Sequence, residues 1–541
     1  MQNRNHAEDR AGRRQSAIAM PDVYAADAAQ DVLAEGGNAI DAAVAAGFTL
    51  AVTYPEAGNI GGGGFMTVWM NGRPYFLDYR ECASRHATER MYLDDAGAVI
   101  PARSTVGVAA AGVPGTVRGL AEAHRRFGRL PWRRLLEPAI RLAEEGFVVH
   151  AQLIERRDVM LDDYRATNFQ RHFGAMRRGE PFRQPELGAT LRRLADHGAD
   201  DFYTGQISGL LLAHLQRDGG TVDADDLRRY GVLWRQPLCA RWRGHTVVTA
   251  PPPSAGGLAI VQQLKMKHVM SEHFAGLRPN SAQYVHLTSE IAKRVFADRA
   301  EYIGDPDFAD AHVGHLYDDA YIARRAAAVN PAAISETAAV RGGLSESDET
   351  THYSILDKWG NAVSNTYTLN AKFGCGVVVD GAGFLLNNGM DDFSIKPGTP
   401  NRFGIVGSSI NAIAPGKRMT SSMAPTLLTK DGRVAIVIGT PGGSRIPTTI
   451  FHVLNNLFDH QLGIHDAIAD MRLHHQLYPE NAIFWEPYSP VPDDLADQLS
   501  RYGYTFRSRF TNGDMQVIRA ADDRLEAASD PRARGVARVF D

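Results

Sequence analysis

The sequence predicts an α+β fold in which helices stack on the outside of two β-sheets. Three observations carry that expectation. Helical spacing dominates residues 115–345, short strands and Gly/Asn/Asp turns dominate from Thr350 onward, and one strand pair lies early, at 65–80. The texture changes at about residue 345. There Ser345-Glu346-Ser347-Asp348-Glu349 reads as a charged, exposed processing loop.

Residues 1–20 are polar and are expected to be loosely ordered. Residues 25–52 are rich in Ala, Val and Leu at helical spacing and are punctuated by Gly36-Gly37. Asn38 or Asp41 is available to cap the second of two helices. Residues 65–80 set β-formers (Phe65, Val68, Trp69, Tyr75, Phe76, Leu77) on either side of Asn71-Gly72, a strong hairpin signal. Helical spacing follows at 138–145 and 282–302, interrupted by Pro251-Pro252-Pro253. Beyond Thr350, strands are expected at 351–356, 362–369, 375–379, 425–429 and 433–439, and helices near 447–458 and 464–471. No fixed-period repeat is present.

The 541 residues are 44% apolar and 22% charged, ordinary values for a folded globular chain and poor ones for disorder. A net charge of −4 points to neither nucleic acid nor an anionic membrane as partner. Cys82, Cys239 and Cys375 are far apart and lack metal-ligand spacing, so neither a disulfide framework nor a metal site is expected. His474-His475 likewise has no partners at metal spacing and reads as structural. The tetraglycine at 61–64 is not followed by Gly-Lys-Ser/Thr, so tight backbone packing is expected there and phosphate binding is not. No cofactor is expected. The first residues contain no apolar leader, and 39–52, the best candidate span, is too short and contains Asp41. The expected location is the cytoplasm, unless an upstream start adds a leader.

The segment 350–370 reads as two strands joined by a three-residue loop, Lys358-Trp359-Gly360, with Gly360 in the left-handed position. A hairpin centred on Trp359 sets Thr350 opposite Thr368. Alternation then places Thr350, His352, Ser354, Ser364, Thr366, Thr368 and Asn370 on one polar face. The other face carries Tyr353, Ile355, Val363, Tyr367 and Leu369. A glycine bulge would slip the register by one and exchange the faces. A threonine hydroxyl needs a base to act as a nucleophile, and an N-terminal amine on the same residue is one solution. That amine exists only if the bond between Glu349 and Thr350 is cut.

These residues, TTHYS at 350–354 followed by TYTLN at 366–370, resemble the start of the small subunit of the γ-glutamyltransferases (glutathione hydrolases), which are N-terminal-nucleophile hydrolases. The resemblance continues in family order. It includes EGGNAIDAAV at 35–44, AGNIGGGGFM at 57–66, DYRE at 78–81, PPPSAGG at 251–257 and ADRAEYIGDP at 297–306. Beyond the hairpin, LNNGMDDFS at 386–394, SSM at 421–423 and TPGGSR at 440–445 carry it on. It spans about residue 20 to Asp530-Pro531.

The resemblance implies a four-layer αββα sandwich and a proenzyme whose large subunit is 1–349 and whose small subunit is 350–541. Thr350 would be the nucleophile both for self-cleavage and for substrate, with Thr368 hydrogen-bonded to it. Gly442 and Gly443 would offer backbone N–H groups to the oxyanion. Arg80 would clamp the substrate α-carboxylate with help from Ser421 and Ser422, and Asn370 and Asp392 would hold the α-ammonium. The partners implied are a small γ-glutamyl substrate and a water, amino-acid or peptide acceptor.

Two positions depart from the family pattern. Gly389 stands where a Gln or Glu usually helps bind the ammonium, and loss of that contact would weaken recognition by about 1.5–3 kcal/mol. Phe403, in a lid-like NRFG at 401–404, stands where some members have Tyr, which would favour water over amine acceptors. The rival readings are an amidase for another acyl group, such as glutaryl, and a non-catalytic family member.

Overall fold

The computed structural model describes residues 15–308, 313–337, 340, 350–396, 408–508, 511–521 and 524–541. Two sheets lie face to face. The first has seven strands in the order Val536–Phe540, Ser16–Met20, Thr351–Leu356, Ala362–Thr368, Gly63–Met70, Arg73–Tyr79, Leu233–Arg235. The second has six, in the order Arg524–Ser529, Gln516–Ala521, Arg433–Gly439, Thr426–Lys430, His245–Thr249, Leu238–Trp242. Between them lies a thin apolar layer of mostly alanine and aliphatic residues, among them Ala17, Ala19, Val248, Leu427, Val437 and Ile518.

Helices close both outer faces. Val23–Ala34 and Ala39–Thr53 pack against the first sheet, in one core with Ile18, Met66, Tyr353 and Tyr367. Asn38 caps the second of these through a reciprocal capping box with Asp41, so that both expected caps act together. Gly256–Val269 and Arg445–Phe458 cover the second sheet, in a core with Leu428, Ile436 and Val517. The result is the expected αββα sandwich. No helix among the described residues is long and apolar enough to cross a membrane.

Most local expectations hold. The early hairpin is Gly63–Met70 with Arg73–Tyr79, and Asn71 and Gly72 both take positive φ (53° and 77°), as a two-residue primed turn requires. The helix at 282–302 has those bounds. Three expectations need correction. Ser16–Met20 is not a loose end. It is fully buried between Val536–Phe540 and Thr351–Leu356, and its ladder comes from strands distant in sequence. The strand expected at 375–379 is a narrow loop held by an isolated bridge, Val378 to Leu385; its apolar residues pack beneath helices. Within 115–345, the strands Leu233–Arg235, Leu238–Trp242 and His245–Thr249 interrupt what reads as helical.

Candidate active site

The hairpin of 350–370 adopts the expected register. Ala362 pairs with Leu356, Ser364 with Ser354, Thr366 with His352 and Tyr367 with Thr351, so one further step brings Thr350 abreast of Thr368. The turn closes through Asp357 N–H to Asn361 O (2.9 Å) and Gly360 N–H to Asp357 O (2.9 Å), with Gly360 at φ 81°. The apolar face anchors to the helix Ala39–Thr53: the Tyr353 and Tyr367 hydroxyls donate to Ala43 O (2.8 Å) and Gly47 O (3.0 Å).

The polar face is equally buried, because the second sheet covers it. Ser364 donates to Ile438 O (3.1 Å) and Ser354 to Gln516 O (3.0 Å). His352 lies between the Thr366 and Ser354 hydroxyls (2.8 and 3.1 Å) and packs on Gly439, where an added Cβ would sit 2.2 Å from its ring. Burial pushes the His352 imidazole down to about 3, so it stays neutral.

Thr350 heads this face and is 6% exposed. Alongside it the strand Arg433–Gly439 ends in Thr440-Pro441-Gly442-Gly443, which leads into the helix Arg445–Phe458. Gly442 and Gly443 have φ of 129° and 55°, a left-handed pair that favours glycine. Their carbonyls accept the Arg445 and Ile446 N–H groups (3.0 Å each), which seats the pair at the positive end of the helix. Thr350 and Gly442 line one small cavity of about 20 Å³, together with Tyr54, Arg156, Gly513, Asp514 and Arg532.

The tetraglycine is packed as tightly as expected. A Cβ on Gly62 would lie 2.0 Å from Thr368 O, one on Gly64 2.5 Å from Thr366 O, and one on Gly63 2.7 Å from Glu81 Oε2. This close approach ties the hairpin at 350–370 to a buried charge cluster. Arg80 is fully buried, and its guanidinium bonds Glu81 (2.8 Å) and Asp392. One cation faces two carboxylates, so the cluster carries a net charge of −1 when all three are ionised. Burial raises the Glu81 carboxyl above its usual range although Arg80 opposes this, and its Oε1 has no hydrogen-bond partner among the described residues. Glu81 lies within a sequence motif, but nothing in the spacing distinguishes it from a surface acid.

Thr368 Oγ1 accepts the Asn370 N–H (2.8 Å), and Asn370, held at φ 81°, donates its side-chain amide to Asn388 O (2.9 Å). Ser421 Oγ accepts the Met423 N–H (3.1 Å), and Ser422 is fully buried against Gly256. Asp392 and Arg80, assigned above to opposite ends of a substrate, are paired with each other. A Cβ on Gly389 would meet Asn387 Oδ1 at 3.2 Å and the Glu81 carboxyl carbon at 3.7 Å, so a longer side chain there would lie against Glu81. Glu349 and Phe403 lie outside the described residues.

The γ-glutamyltranspeptidase family model matches residues 25–540. The chain is 56% identical over 525 residues to the glutathione hydrolase proenzyme of Pseudomonas aeruginosa, covering 97% of this chain and 94% of that protein. It is similar to the solved γ-glutamyltranspeptidase of Pseudomonas nitroreducens in complex with L-DON, with 54% identity and a TM-score of 0.59, over 60% of this chain and 96% of that one. It is also similar to the cephalosporin acylase of Bacillus halodurans, with 26% identity and a TM-score of 0.84, over 99% of this chain and 98% of that one. The chain belongs to the γ-glutamyltranspeptidase family.

Proposed function

We propose that this chain is a self-processing γ-glutamyl hydrolase/transferase that cuts the bond before Thr350 and then uses Thr350 as its N-terminal nucleophile. The observation that carries the reading is the register: in a member of this family, Thr350 stands abreast of Thr368 and shares a cavity with Gly442. In turnover, Thr350 Oγ attacks the γ-carbonyl carbon of the substrate. Its proton passes to the α-amine of the same residue, and the Gly442 and Gly443 N–H groups stabilise the oxyanion. The C–N bond breaks as the α-amine returns the proton to the leaving amine. Water or an acceptor amine then takes the acyl group from Thr350.

Arg80 receives the α-carboxylate, with Ser421 and Ser422 beside it, and Asp392 and Asn370 hold the α-ammonium. Opposite charges side by side suit a zwitterionic glutamyl head, whose α-carboxylate pairs with Arg80 and whose α-ammonium pairs with Asp392, although the head adds no net charge to the cluster. Cleavage would yield segments 1–349 and 350–541. Each sheet takes strands from both, so the two products would stay associated.

Intact-mass spectrometry of purified protein tests the processing: two co-purifying fragments are expected, the smaller beginning at Thr350. Turnover of γ-glutamyl anilide against glutaryl anilide tests the acyl group. A strong γ-glutamyl preference is expected. Equal turnover would favour the acylase reading, which the bare Gly389 and the likeness to a cephalosporin acylase both support.

A further inference from the structure

The one carboxylate that lines the cavity beside Thr350 among the described residues has no part in the chemistry above. Asp514 is 5% exposed and lines the same cavity as Thr350 and Gly442. Its backbone is tied to the oxyanion strand: Asp514 N–H donates to Thr440 Oγ1 (2.9 Å), and that hydroxyl donates to Pro441 O (2.8 Å). Of its two carboxyl oxygens, Oδ1 accepts the Gln516 side-chain amide (2.8 Å), whereas Oδ2 is buried with no hydrogen-bond partner among the described residues. A buried carboxyl oxygen without a partner is costly and calls for an explanation. At about 20 Å³ the cavity has room for one water.

The uncut chain poses a chemical problem that the mature one does not. Before cleavage the nitrogen of Thr350 is an amide, without a basic lone pair, so it cannot take the proton from Thr350 Oγ. We propose that Asp514 is the proton acceptor for self-cleavage, acting on Thr350 Oγ through one water in the shared cavity. Thr350 Oγ bonds to the carbonyl carbon that precedes it, and its proton passes through the water to the Asp514 carboxylate. As the C–N bond breaks, the same proton returns through the water to the Thr350 nitrogen and leaves a primary amine and an ester. A second water hydrolyses the ester, which restores the Thr350 hydroxyl and releases a carboxylic acid. Asp514 ends as it began.

The surroundings tune the carboxyl for this task. Burial, reinforced by the Asp530 carboxylate, pushes Asp514 up to about 8, against the pull of Arg156, Arg472 and Arg534. A base that titrates close to the working pH moves protons both ways most effectively. The other ionisable groups packed here are Tyr54, whose hydroxyl burial raises, and Glu56, which Arg156 and Arg534 hold at 3.2 and 3.0 Å. Arg532 is committed to Glu486 and Asp530. Glu56 also has one buried oxygen, Oε2, without a hydrogen-bond partner among the described residues, but it lies outside the cavity lining, in which Asp514 is the one carboxylate among the described residues.

The inference rests on Thr350 being the self-cleaving residue, and the test separates the two. Freshly translated full-length chain is followed by intact mass across pH 6–9.5, as wild type, Asp514→Asn and Thr350→Ala. The wild-type rate is expected to rise through an inflection near pH 8, as the base ionises. Asp514→Asn preserves the shape and the Gln516 contact of a neutral carboxyl. It is expected to cleave at least about 10-fold more slowly, without that inflection. Equal rates and profiles for wild type and Asp514→Asn would overturn the role of Asp514 and leave that of Thr350 intact. Cleavage at the same bond in Thr350→Ala would overturn the underlying reading. Should Asp514→Asn fail to fold, the wild-type profile decides alone, since a rate without an inflection between pH 7 and 9 excludes Asp514.

Discussion

The two ends of the site are built from different materials. At the proposed reacting end, Thr350 shares a cavity with Gly442, one of the left-handed glycine pair 442–443 set between the end of a strand and the start of a helix. At the proposed recognition end, Arg80, Glu81 and Asp392 form a side-chain cluster whose guanidinium is fully buried. Backbone donors keep their geometry without spending side-chain entropy, which suits a transition state that must be met in one place. A buried ion cluster gives selectivity instead. It costs desolvation when empty and rewards a ligand whose charges complete it. Changes at the first end should therefore appear in kcat, and changes at the second in KM.

The largest effect expected is from Thr350→Ala, which should leave a single chain of full mass and reduce γ-glutamyl turnover by at least about 10³-fold. A cleaved, active variant would exclude Thr350 as the reacting group. Gly442→Ala is expected next. At φ 129° a Cβ is strained whatever the space, and displacing one oxyanion donor should lower kcat by about 10²-fold with KM nearly unchanged.

Arg80→Lys tests the recognition end. A lysine keeps the charge but loses the planar fork, so KM for γ-glutamyl substrates should rise about 10-fold or more while kcat changes little. A fall in kcat at constant KM would break the division between the two ends. The smallest effect concerns the buried polar face that joins them. His352 is neutral in the fold and titrates near 3, whereas the unfolded chain takes up its proton near 6.5. Stability from this group is therefore complete above pH 6.5 and falls as the pH drops toward 3, by about 2 kcal/mol at pH 5. His352→Gln should flatten that part of the stability profile, as read by denaturant midpoints at pH 7 and pH 5.

Much of this site was legible in advance. The hairpin at 350–370 follows from period-two alternation and a Gly360 turn, both local, and that register sets Thr350 beside Thr368. The same local logic failed at 375–379. There the apolar spacing records burial under helices, and positive-φ Gly374 and Gly376 bend the chain out of a ladder. It failed too at Ser16–Met20, a segment too short to announce itself as a strand without its partners.

The sequence alone determined the two faces of the hairpin, the glycine pair at 442–443 and the order of motifs, because turn chemistry and side-chain alternation depend on neighbours along the chain. Only the tertiary structure decided that the polar face is buried by a second sheet, that Arg80 and Asp392 neutralise each other, and that Asp514 shares a cavity with Thr350. Burial and the charges that surround a group are set by segments distant in sequence. The pKa of a carboxyl, and hence what it can do, is therefore a property of the fold.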